Sequence, residues 1–249
     1  MSNIQAVYTV WLREMIRYFR QKERIIGSLV MPIFWLLIFG GSMRSSIDIG
    51  SGIDYMSFIA PGVIAMSIMF SSVSSGISII WDSELGFMKE MLIAPVSRVS
   101  IVFGKALGTV AAALIQGTMV MIIAILVGLK VSLLTAALIL PLMVLISIGL
   151  VGIGISIGSL MNNVEGFQLI FNFLVMPMFF LSGALFPIKD LPVVLKLASY
   201  IDPLTYSVEL LRRIIVGVSS IPISITLPFV LGFSAVMMFV SSWLFSRRS

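Results

Sequence analysis

Apolar runs of about 20 residues recur along this chain, each long enough to cross roughly 30 Å of hydrocarbon as a helix. They begin near Ile25, Tyr55, Ile101, Leu133, Gly166 and Ile223. Inside lipid, every backbone N–H and C=O must find its partner within the protein, which leaves helices and closed barrels as spanning elements. Spanning strands would alternate polar and apolar positions over roughly ten residues, and these runs do not. Charged side chains make up 11% of the 249 residues and hydrophobic ones 59%, against about 25% charged in soluble chains. The sequence therefore predicts an all-α integral membrane protein with six transmembrane helices.

The spans are expected at residues 25–43, 55–81, 101–129, 133–160, 166–185 and 223–245. Before them, residues 1–24 read as an amphipathic interfacial helix. At about 100° per residue, Arg13, Arg17, Arg20 and Arg24 fall on one face and Ile4, Val7, Tyr8, Trp11, Met15 and Tyr18 on the other, the pattern of a helix lying on a membrane. Small residues at Ser71–Gly76 and at Gly149, Gly152, Gly154 and Gly158 suit close helix approach. Gln116 lies mid-span, where a polar side chain faces protein rather than lipid. Residues 186–222 are broken by Pro187, Pro192 and Pro203 and by several charges. No part of that segment is long and clean enough to span, and it suits short re-entrant helices packed against the rest of the bundle.

Basic residues give the orientation. With both termini cytoplasmic, the inner side carries ten Lys/Arg, namely Arg13, Arg17, Arg20, Lys22, Arg24, Lys89, Arg98, Lys105, Arg247 and Arg248. The outer side carries six, Arg44, Lys130, Lys189, Lys196, Arg212 and Arg213, as the positive-inside rule requires. The same placement accounts for the net charge of +5 through anionic lipid rather than nucleic acid. The first apolar run is too long for a signal h-region, so secretory processing is not expected.

Much chemistry is excluded. The chain has no Cys and no His, which removes disulfides, the commonest metal ligand and the Ser-His-Asp arrangement. It has no G-x-x-x-x-G-K-[ST] phosphate cradle; Gly104-Lys105 is followed by Ala106. The spans show no paired Asp for an intramembrane protease. Their cores carry essentially no ionisable residue of the kind that couples ions to substrate. An ion-coupled secondary transporter is thus the alternative reading, and a scaffold without flux a third. Energy for transport would have to come from outside the chain.

The one charged island between long apolar runs is Trp81–Arg98, WDSELGFMKEMLIAPVSR. Asp82 and Glu84 suit a helix N-terminus, Leu85, Met88 and Leu92 recur at helical spacing, and Pro95 would stop the helix. Such a cytoplasmic knob is shaped to be gripped by a partner.

The island, from Asp82-Ser83-Glu84-Leu85-Gly86 through Ala94-Pro95-Val96-Ser97-Arg98, resembles the loop after the second span in membrane subunits of ABC-2 type transporters. A second match is Leu181-Ser182-Gly183-Ala184-Leu185-Phe186-Pro187, followed by Leu191-Pro192, Asp202-Pro203-Leu204-Thr205-Tyr206 and Arg212. Phe87, in place of a small hydroxyl residue, and the added charge of Lys89 depart from the family pattern. The resemblance implies an ATP-driven export permease without an ATPase site of its own, in the cytoplasmic membrane. It would pair with a second permease subunit as a homodimer and with two ABC ATPase subunits that bind the ATP and Mg; this chain would hold no cofactor or metal. Residues 82–98 would be the coupling helix, with Asp82, Glu84, Gly86, Lys89, Glu90, Pro95 and Arg98 as docking residues. Arg13, Arg17, Arg20 and Arg24 would add an interfacial contact. Gly183, Pro187, Pro203 and Tyr206 would belong to an outer gate within 186–222. Family members export hydrophobic drugs, lipids or glycans.

Overall fold

The structure, a computed structural model, describes residues 3–38, 54–86 and 97–247, and these are helical with short connections. In chain order the helices are α1 (Asn3–Arg20), α2 (Lys22–Trp35), α3 (Tyr55–Val73), α4 (Gly76–Glu84), α5 (Arg98–Val127), α6 (Leu133–Leu160) and α7 (Val164–Leu181). A 3-10 turn (Ile188–Asp190), α8 (Val193–Ile201), α9 (Pro203–Val216) and α10 (Ile223–Arg247) complete the chain.

Among the described residues five helical stretches are long and apolar enough to cross a membrane: Tyr55–Glu84, which is α3 and α4 together, Arg98–Val127, Leu133–Leu160, Val164–Leu181 and Ile223–Arg247. They correspond to five of the six expected spans. The first expected span is described only as far as Ile38, so its remainder lies outside the described residues. Starts are set by side-chain caps, each satisfying an N–H that the helix itself leaves unpaired. Ser97 Oγ accepts from Ser100 N, Ser132 Oγ from Thr135 N and Asn163 Oδ1 from Gly166 N.

Helix α3 is the axis of the bundle. From Tyr55 to Met69 all but Ser57 of its residues are buried, and they form the largest apolar cluster with side chains of α5, α6, α7 and α9. At Ser74-Ser75 the helix breaks before α4 resumes; Ser74 Oγ donates to Ser71 O at 3.1 Å and Ser75 Oγ to Ser72 O at 2.7 Å, back-bonding that bends helices. The small residues of α6 provide the close contact expected of them. A Cβ on Gly154 would lie 2.5 Å from the Val73 carbonyl, and one on Gly152 would lie 2.7 Å from Met237 Cβ of α10. Gln116 is buried and donates from Nε2 to the Ser28 carbonyl of α2 at 3.4 Å, an interhelical bond.

The surface of the bundle is apolar as well as its core. Large apolar side chains face outward on α7 (Leu169, Phe173, Phe180) and α10 (Leu231, Val236, Phe239), as surfaces bounded by lipid or by another membrane chain require.

The local reading of the island changes at one point. Asp82 and Glu84 stand in the last turn of α4, not in the first turn of a new helix. A helix-terminus preference contributes only about 0.3–1 kcal/mol, and here the apolar run Gly76–Trp81 carries the helix onward while cations from two other helices meet Asp82. Gly86, at φ +78°, follows the end of α4. The helical register expected through Met88 and Leu92, and the stop at Pro95, lie outside the described residues.

Candidate functional site

The densest polar construction sits where α1, α4 and α5 meet. Arg13 and Arg17 are four residues apart and so share one face of α1. Both place Nη2 at 2.8 Å from Asp82 Oδ1. Asp82 Oδ2 is bonded by Lys105 Nζ of α5. Lys105 also reaches Glu14 Oε1 at 3.3 Å and Ser78 Oγ at 3.4 Å, and Glu14 lies 3.7 Å from Arg17 Nη1. Three cations and two carboxylates thus form one network with the Asp82 side chain fully enclosed. Burial opposes the charge of Arg17, but Glu14 and Asp82 outweigh it and hold the guanidinium above its ordinary pKa.

The approach depends on two glycines of α5. A Cβ on Gly104 would lie 2.7 Å from Val10 Cβ, and one on Gly108 would lie 2.5 Å from Glu14 Cβ. With α1 seated this way, its arginine face turns into the protein. Ile4, Tyr8, Leu12, Ile16 and Phe19 are left exposed.

Of the expected docking residues, Asp82 is enclosed in this network and Glu84 is exposed beyond it. Arg98 opens α5 and bonds the Ser246 carbonyl at the end of α10. Lys89, Glu90 and Pro95 lie outside the described residues. Arg20 is exposed, and Arg24 donates to Ser74 Oγ at 2.9 Å and to Gln21 Oε1 at 3.3 Å.

The four residues expected at an outer gate each have a definite local setting. Gly183 sits at φ +74°, with its carbonyl 2.7 Å from Arg212 Nη2. Pro187 precedes the 3-10 turn. Pro203 occupies the first turn of α9, where a missing N–H costs nothing, and Asp202 Oδ1 caps that helix through Leu204 N at 2.9 Å. Tyr206 donates to the Tyr200 carbonyl at 2.8 Å and stacks on Phe229.

Two groups central to this geometry escaped the site residues chosen from sequence. One is Glu14, the lone acid on the arginine face of α1. The other is the enclosed pair Glu209–Arg212 of α9. Arg212 lies 4.0 Å over the Phe58 ring, and Glu209 Oε2 accepts from Ser220 N and Ile221 N. The three-residue spacing of that pair was the available signal. Lys105, counted among the cytoplasmic cations, is buried. Among the described residues no group of three or more acidic side chains is placed to hold a metal ion.

Several apolar helices of spanning length, a core built on α3 and outward apolar faces define a multi-pass helical membrane protein. A sequence model of the ABC-2 type transporter family matches residues 5–216, and the chain belongs to that family. The inner membrane transport permease YadH of Escherichia coli (strain K12) is 26% identical over 228 residues, covering 89% of this chain and 87% of its own. The protein ycf38 of Cyanophora paradoxa, whose given name describes a transport permease, is 29% identical over 214 residues, covering 84% and 73%. Nodulation protein J of Rhizobium leguminosarum bv. viciae is 25% identical over 211 residues, covering 84% and 81%. The chain is a membrane transport permease of an ABC transporter, a transport subunit, and family membership implies partnership with ABC ATPase subunits.

Proposed function

We propose that this chain forms the translocation path of an exporter and is driven by separate ATPase subunits that grip residues 82–98 from the cytoplasm. The observation that carries this reading is the anchoring of Asp82. At the start of that segment stands a carboxylate bonded to α1 through Arg13 and Arg17 and to α5 through Lys105. A push on it is therefore delivered to three helices together rather than absorbed by a loose loop. Two permease chains, taken as identical, would pair with two ATPases, and both termini would be cytoplasmic. The apolar stripe of α1 would rest in the inner interface, and the 186–222 segment would enter the outer half of the membrane as re-entrant helices and close the outer mouth. The substrate would be a hydrophobic, lipid-like, drug-like or glycan molecule. Ion coupling is disfavoured because the carboxylates buried at this junction, Glu14 and Asp82, are both matched by cations.

Two measurements test the reading. With Ser83→Cys in intact cells, a membrane-impermeant maleimide should react only after permeabilisation; labelling of intact cells would place the segment outside and end the proposal. ATP-dependent flux in inverted vesicles should survive an uncoupler, and loss of flux on uncoupling would favour the ion-coupled alternative.

A further inference from the structure

A recess of about 200 Å³, with polar groups set in a mostly apolar wall, lies between the α1–α2 junction, the α3–α4 break and α5. A second, of about 230 Å³, reaches from the same place to Gln168 on the exposed side of α7. Arg24, Ser74, Trp81 and Phe171 line both, so Arg24 stands between the two.

The donors and acceptors here are unbalanced. Among the described residues Arg24 has no carboxylate within ion-pair distance, and its bonds go to the neutral groups of Gln21 and Ser74. Tyr18 Oη and Arg17 Nη1 are enclosed without a hydrogen-bond partner, and both residues line the first recess. The acid that lines it, Glu14, is shared between Lys105 Nζ at 3.3 Å and Arg17 Nη1 at 3.7 Å, the latter too long for a hydrogen bond. The enclosed Arg17 Nη1 and Tyr18 Oη, together with the exposed guanidinium of Arg24, call for an acceptor-rich, negatively charged guest, since enclosed polar groups left unpaired are costly. Guanidinium groups recognise phosphate oxygens through paired hydrogen bonds. Beside these donors Phe70 and Phe171 pack edge to face at 5.7 Å, an apolar wall for a chain attached to the charged group.

We propose that this double recess binds a phosphate-bearing anionic group, with Arg24 and Arg17 as its ligands and Tyr18 as a further donor, and that an amphiphile presents it from the side of α7. The assignment rests on the permease reading for its role as a loading site, but the binding itself does not require the ATPase.

The experiment uses the full chain alone, reconstituted in phosphatidylcholine with and without phosphatidylglycerol, and native mass spectrometry to count retained lipid. Wild type should retain phosphatidylglycerol over phosphatidylcholine. Arg24→Gln should weaken that preference about tenfold, the loss expected for a charge-assisted contact. Lys22→Gln, which removes the same charge from an exposed neighbour outside both recesses, should leave it within about twofold. Inorganic phosphate at constant ionic strength should displace little lipid if the anion arrives on an amphiphile. Full displacement would retain the anion site and assign it to free phosphate. Equal retention of both lipids, or equal losses in the two variants, would overturn the proposal and leave the recess to water. Co-purification of an ATPase with the wild-type chain is scored separately. Its failure would sink the reading of a permease driven by separate ATPase subunits and leave the binding result standing.

Discussion

Asp82 of α4 and Arg17 of α1 are 65 residues apart in the chain and meet at 2.8 Å. The contact matters because Asp82 is also the residue at which the bundle hands over to the charged island. An enclosed carboxylate holding three cations is costly to desolvate, and removing one partner of such a network typically costs about 3–5 kcal/mol, because the others stay buried and uncompensated.

Asp82→Ala should therefore lower thermal stability in detergent by about 3 kcal/mol or more and loosen α1, read as faster proteolysis near Arg13 and Arg17. Asp82→Asn keeps the volume and should lose nearly as much, since charge rather than packing is what it removes. Unchanged stability in both variants would show that Arg13, Arg17 and Lys105 are satisfied without it.

Glu84 lies two residues further on, about 200° around the helix, and is exposed, so its substitution has a different signature. Glu84→Lys together with Glu90→Lys should reduce recovery of a co-expressed ATPase in detergent by about tenfold, the size expected when charged contacts at an interface are reversed. The thermal midpoint of the permease itself should move by less than about 0.5 kcal/mol, as for a surface change. Full recovery of the ATPase would remove these side chains from the docking surface.

Sequence made the spans and the close-packing glycines readable because both follow from local rules: run length against bilayer thickness, and small residues where helices touch. The α6 helix is the plainest instance, with its expected bounds and its glycine contacts both found. What pattern alone did not reveal was pairing at a distance. The arginines of α1 were read as one polar face, but their carboxylate lies on another helix, and helical periodicity carries no information about that. The same holds for Lys105, whose carboxylate partners Asp82 and Glu14 lie on α4 and α1. The end of α4 was misplaced because a helix-terminus preference is weak beside a network of buried ion pairs.

Close approach can be tested directly at Gly154. Its hypothetical Cβ would sit 2.5 Å from the Val73 carbonyl and 2.9 Å from that of Ser72, both backbone atoms that cannot turn aside. Gly154→Leu should cost about 1–3 kcal/mol through overpacking and force α6 away from the α3–α4 break. Gly232→Ala in α10 is the control, with nothing within 4 Å of the added carbon. It should be neutral or stabilising by up to about 1 kcal/mol, the helix-propensity difference between the two residues. The two variants should separate clearly in thermal midpoint; equal effects would mean that the α6 contact is not close.

Asp202 lies between α8 and α9, outside the spans, and burial pushes its carboxyl up to about 7, against a lowering contribution from the Leu204 N–H it caps. The folded chain therefore holds this proton more tightly than the unfolded one. Stability from that preference is complete below the ordinary carboxylate pKa, declines as pH rises from about 4 to about 7, and is constant above that. Asn caps a helix as well as Asp does and cannot ionise, so Asp202→Asn should remove the decline. Its thermal midpoint should match wild type near pH 4 and exceed it at pH 8 by an amount equivalent to at least about 1 kcal/mol. The reverse trend, with wild type gaining on the variant as pH rises, would mean that Asp202 is ionised in the folded protein and that the cap depends on its charge.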